Sequence, residues 1–135
     1  MRSLLVFFCV LLLLSSCGQD YDTQAEIDKI MAIHDEVMSK MSQVMKLKKQ
    51  VLQMADESKD SLQVKKLHEL AHILDQSNEG MMVWMRQWSK SANPHIEEKT
   101  DIELRKAFFA AQTEKVIQVR NDINSSIIKA ESVLR

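Results

Sequence analysis

The residues of this 135-residue chain most suited to chemistry are its histidines and methionines. His34 stands between Met31 and Met38, and Met81-Met82-Val83-Trp84-Met85 follows further along. In a helical hairpin turning near residue 58, position 34 falls opposite about position 82. His34 and Met38 would then stand beside Met81, Met82 and Met85, with the indole of Trp84 nearby. Imidazole plus thioethers suits Cu(I), because soft sulfur ligands select that ion. Apart from the initiator, the nine methionines also fall at the spacing of a helical core, where methionine is a flexible filler. Packing is the preferred reading; a copper site on His34, Met38, Met81, Met82 and Met85 is the alternative, and no cofactor is otherwise expected.

His68-Glu69-Leu70-Ala71-His72 spells H-E-x-x-H, in which two histidines one turn apart face the same way and the glutamate serves as a base beside zinc. A catalytic zinc also needs a third protein ligand and an open fourth position. Asp75, Glu79 and His95 are the downstream candidates for that ligand, and no segment reads as a strand that would line a substrate cleft. The match is therefore read as chance, and no enzyme is expected. With two glycines in the chain, phosphate loops and nucleotide fingerprints are excluded. Lys46, Lys48, Lys49, Lys65 and Lys66 make a mildly basic end, read as a solvated face. Trp84 and Trp88 are read as core, the other use of such rings being a partner groove.

These residues need long helices to position them. Glycine is scarce and proline single, so sheets and tight turns lack punctuation. Thr23 with Glu26, Asp60 with Gln63 and Thr100 with Glu103 have capping-box spacing, a side chain at each position satisfying an exposed backbone donor. Apolar residues then recur at helical spacing through Ile27, Ile30, His34, Val37, Met41, Val44, Lys48 and Val51. A second stripe runs through Val64, Leu67, Ala71, Leu74, Asn78, Met81, Met85 and Trp88. A third includes Ile102, Phe108, Phe109, Val116, Ile123, Ile127, Ala130 and Val133. Ser91-Ala92-Asn93-Pro94 breaks the chain, because the residue before proline avoids helical geometry. The fold expected is all-α, an antiparallel up-down-up three-helix bundle of coiled-coil character, with helices at about 24–57, 61–90 and 101–134. The alternative architecture is a helical hairpin that dimerises.

Ahead of these segments, Met1-Arg2-Ser3 precedes the unbroken apolar run Leu4 to Leu14, the size of a signal-peptide core. A membrane span needs about 20 apolar residues, so this run is too short to cross. It closes on Leu14-Ser15-Ser16-Cys17, which resembles the lipobox of bacterial lipoproteins. The resemblance implies removal of residues 1–16 and acylation of the Cys17 thiol, with residues 17–23 as lipidated cysteine and tether. Each buried CH₂ is worth about 0.8 kcal/mol, so several acyl chains make attachment effectively permanent. Gly18 rather than aspartate after the cysteine implies, by the same resemblance, transfer to an outer membrane. Cys9 would leave with the signal, so the mature domain has no disulfide available.

Loss of residues 1–16 removes Arg2 from the 18 basic side chains and leaves 17 against 19 acidic ones, a net charge of −2. That balance argues against a nucleic-acid partner, which wants a basic face. Met31-Ala32-Ile33-His34-Asp35-Glu36-Val37-Met38, the methionine-rich run at 81–85 and Ile123-Asn124-Ser125-Ser126-Ile127 together resemble small helical lipoproteins common in Bacteroidota, some labelled viral A-type inclusion protein. The resemblance implies fold and location and brings no activity. The expectation is a non-enzymatic, lipid-anchored cell-envelope protein facing the periplasm, serving as a structural module or binding an envelope protein partner.

Overall fold

The computed structural model describes residues 21–135. The expected signal peptide, cut site and acylated Cys17 lie outside the described residues. Those described are all-helical: α1 spans Thr23–Glu57, α2 Ser61–Ser91, α3 Asn93–Ile96 and α4 Ile102–Leu134. None of these helices is long and apolar enough to cross a membrane.

The three long helices pack on one another, and a seven-residue step runs through the buried stripe of each. On α1 the step links Thr23, Ile30, Val37, Val44 and Val51, and on α4 it links Phe109, Val116, Ile123 and Ala130, all buried. On α2 two such rows lie side by side, Leu67, Leu74 and Met81 with Leu70, Ser77 and Trp84. That step, held over several turns, keeps one stripe of each helix against its neighbours. Each fully buried aliphatic or aromatic side chain contributes about 1.5–3 kcal/mol, so these rows are where the fold gets its stability.

Cross-helix pairs give the register. Between α1 and α2, His34 meets Trp84 and Lys48 meets Asp75, so numbers rise along one helix as they fall along the other. Between α1 and α4, Glu36 pairs with Arg120, Lys40 with Asn124 and Gln43 with Glu131, so both run the same way. One end therefore gathers the start of α1, the end of α2 and the start of α4.

The structure departs from the sequence expectation in three ways. Between the second and third long segments, where only a break was expected, the chain forms the single-turn α3 with Pro94 in its first turn, a position where a missing N–H costs nothing. Two caps are shifted by one residue: Asp22 rather than Thr23 caps α1, accepting from Ala25 N, and Asp101 rather than Thr100 caps α4, accepting from Leu104 N. Asp60 caps α2 as expected, accepting from Leu62 N and Gln63 N, but the box is not reciprocal: Gln63 Oε1 accepts from Ser58 Oγ, and it is that hydroxyl that takes the Asp60 N–H. Lastly, the stripes are rotated slightly. Leu47 and Ser77 are buried where Lys48 and Asn78 were expected, while Met38, Met45, Ile102 and Val133 are exposed.

Candidate functional site

The end that gathers the start of α1, the end of α2 and the start of α4 carries a cluster of polar and aromatic groups. A run of rings crosses it. The His34 ring lies 5.9 Å from Trp84, Trp84 stacks on Trp88 at 5.5 Å, and Trp88 meets Phe108 at 5.9 Å and Phe109 at 6.3 Å. His95 on α3 closes the run, stacked on Phe108 at 4.0 Å while its Nδ1 lies 3.0 Å from Thr100 Oγ1. Offset and tilted arrangements of this kind are each worth about 0.5–1.5 kcal/mol beyond area burial.

Beside the rings, α3 ends on a Schellman turn. Lys99 N–H donates to Pro94 O, Glu98 N–H donates to His95 O, and Glu98 takes φ 54°. The left-handed conformation at this position usually falls to glycine. Here Glu98 also meets Arg105 on α4 at 2.8 Å. Arg105 beside it, with the Thr23 hydroxyl near, holds the Glu98 carboxyl below the usual range. Tyr21 reaches the same corner, with Lys106 Nζ 5.9 Å from the centre of its ring, close enough for a cation–π contact. Burial pushes the Tyr21 phenol up, and the neighbouring Glu26 adds to the shift. An open cleft of about 360 Å³ lies between Tyr21, Glu26 and Lys29 on one side and Lys106, Ala110 and Thr113 on the other.

Compared with family models, curated proteins and solved structures, the chain matches none.

The residues considered for copper occupy unlike environments. Met81 is fully buried and belongs to the core, and Met85 packs against that core. Met38 and Met82 are each 38 % exposed. The difference between Met81 and Met82 is helical geometry, since consecutive residues point about 100° apart. His34 turns its ring toward Trp84, and its Nδ1 lies 2.9 Å from Asp35 Oδ1. Among the described residues, no group of three or more His, Cys, Asp or Glu is placed to hold a metal ion.

His68 and His72 both face solvent, together with Glu69. The three candidate partners for them are engaged elsewhere. Asp75 accepts from Lys48 at 2.7 Å, Glu79 from Arg86 at 2.5 Å, and His95 lies in the aromatic run. The basic end expected at the first turn is tempered by that Lys48–Asp75 pair. A furrow of about 440 Å³ there is lined by α1 alone, through Met45, Lys48, Lys49, Leu52, Gln53 and Asp56.

Sequence reasoning missed the corner of Tyr21, Thr23, Glu98 and Arg105, which joins residues far apart along the chain. It also missed a buried polar contact between Ser77 and Ser126, whose hydroxyls are 3.0 Å apart. A signal for the second existed: Ser77 continues the seven-residue step from Leu70 to Trp84.

Proposed function

We propose that this chain is a lipoprotein of the cell envelope, cut before Cys17 and held by acyl chains on that thiol. It belongs, on this reading, with the small helical lipoproteins of Bacteroidota that it resembles, faces the periplasm from an outer membrane, and acts without catalysis as a structural or partner-binding module. Its mature part is an up-down-up bundle of three long helices, α3 being a turn within the connection between α2 and α4.

The observation that carries this reading is the apolar run Leu4 to Leu14 closing on Leu14-Ser15-Ser16-Cys17. The run suits a signal peptide and is too short for a span, and a thiol directly after two small residues is the group that acylation needs. A helical rod whose first described residue, Tyr21, follows Cys17 so closely is compatible with attachment through that one cysteine.

The test is metabolic labelling with palmitate followed by mass determination of the protein from its native envelope. The expected result is label on the wild type, none on Cys17→Ala, and an N-terminus at residue 17. An intact N-terminus, or label retained in Cys17→Ala, overturns the assignment.

A further inference from the structure

We infer that the end of the rod formed by the connection between α2 and α4 docks onto the lipid bilayer, with Ile96, Ile102 and Leu104 entering the interface. This inference rests on the acylation of Cys17 proposed above.

Cys17 and Tyr21 are separated by four residue steps, which at full extension cover at most about 14 Å. Tyr21 is fixed at one end of the rod, its ring beside Lys106 in the first turns of α4. α1 alone has 35 residues, about 52 Å at 1.5 Å per residue. An acylated Cys17 therefore brings the bilayer to the end that holds Tyr21 and leaves the far end, at Ser58 to Asp60, free to stand well away.

That near end carries the apolar groups such a contact needs. Ile96 is 36 % exposed, Ile102 42 % and Leu104 57 %, and all lie within the α2–α4 connection or the first turn of α4. Core packing leaves much of all three uncovered, whereas Phe108 and Phe109, one turn further along, pack inward. Burying apolar surface at the interface returns about 25 cal/mol per Å². Three side chains are too few to hold a protein at a membrane alone, but a tether that already confines them there makes even a weak contact persistent.

Charge selects among membranes. Between residues 97 and 106, Lys99, Arg105 and Lys106 are set against Glu97, Glu98, Asp101 and Glu103. Polybasic segments gain about 1 kcal/mol per cation from anionic lipid, and this segment has no excess of cations. The surface therefore fits zwitterionic headgroups and gains nothing from anionic ones.

The test uses the native acylated protein reconstituted in phosphatidylcholine vesicles. Single nitroxide labels are placed on Leu104→Cys, Met45→Cys and Leu62→Cys, and collisions with oxygen, which concentrates in lipid, are compared with collisions with a water-soluble nickel chelate. The expected result is that only the label at 104 favours oxygen, equally with and without added phosphatidylglycerol. Adding Ile102→Asp to Leu104→Cys returns that label to water. Labels at 45 and 104 both favouring oxygen would mean a rod lying flat, and overturn the inference. So would a 104 label that stays in water, one shielded from both agents by a protein partner, or one that needs anionic lipid. The mass of the same samples separates the two readings: an acylated Cys17 with a water-exposed 104 label sinks docking alone, whereas an unmodified Cys17 sinks both.

Discussion

Ser77 on α2 and Ser126 on α4 place their hydroxyl oxygens 3.0 Å apart inside the core, and each also lies within hydrogen-bond distance of a carbonyl of its own helix, Leu74 O at 2.9 Å and Ile123 O at 2.8 Å. Two hydroxyl protons serve three contacts. When one serine donates across the interface, the other donates to its carbonyl, and the pair is satisfied without water. Ser126 is fully buried and Ser77 nearly so, which makes the pair a register mark between α2 and α4.

Removing one member leaves the other its own carbonyl to donate to, so Ser77→Ala and Ser126→Ala should each cost about 1 kcal/mol. The double variant should cost no more than either alone, since no buried hydroxyl then remains to satisfy. Denaturant unfolding of the four proteins in a double-mutant cycle measures this; additive losses would show that the pair is not coupled.

The methionines separate packing from metal binding. Met81→Ala empties a fully buried site and should cost about 2–5 kcal/mol, whereas Met82→Ala at the surface should stay within about 0.5 kcal/mol. A Cu(I) titration against a moderate-affinity chelator should show no stoichiometric uptake by wild type. Uptake that disappears in His34→Ala would restore the copper site.

The aromatic run makes a graded prediction. Trp84 is 3 % exposed, and its loss to alanine should cost about 3–5 kcal/mol. Trp88 is only partly buried, so Trp88→Ala should cost less. Thermal or urea unfolding ranks them, and the reverse order would mean that the contact of Trp88 on α2 with Phe108 on α4 dominates stability.

Caps can be located by substitution. Asp101→Ala removes the acceptor for Leu104 N–H and should cost about 1 kcal/mol. Thr100→Ala leaves the cap intact and loses only the contact with His95, a smaller change. Equal effects in unfolding measurements would place the helix start one residue earlier.

Acid should weaken the fold through Glu36 and Glu98. A hydrogen bond from Lys40 depresses the Glu36 carboxyl, with Lys40 and Arg120 adding charge attraction, and Arg105 depresses that of Glu98. A depressed folded value means that the unfolded chain binds more protons, so stability rises with pH through this window. Their contribution is fully present above the unfolded value of about 4.3 and is lost as pH falls through the lower folded values. Both side chains are substantially exposed, so the effect is modest and screened by salt. Glu36→Gln with Glu98→Gln should flatten the acid limb of stability against pH; an unchanged limb would assign it to other carboxylates.

The helical class and the extents of the long helices were legible in the chain because their causes are local. Asp60 capping, the break at Pro94 and apolar residues recurring every three or four positions act within a turn or two of each residue. Which of two adjacent stripes faces inward is not local. Leu47 and Lys48, or Ser77 and Asn78, are neighbours with nearly equal claims on the seam. The choice fell to the rotation at which each helix meets the others, where each buried row must fill the space left by the other two helices. The corner of Tyr21, Thr23, Glu98 and Arg105 was likewise invisible until packing brought the start of α1 beside the start of α4, because charge attraction and cation–π contact depend on distance in space and leave no periodic trace along the chain.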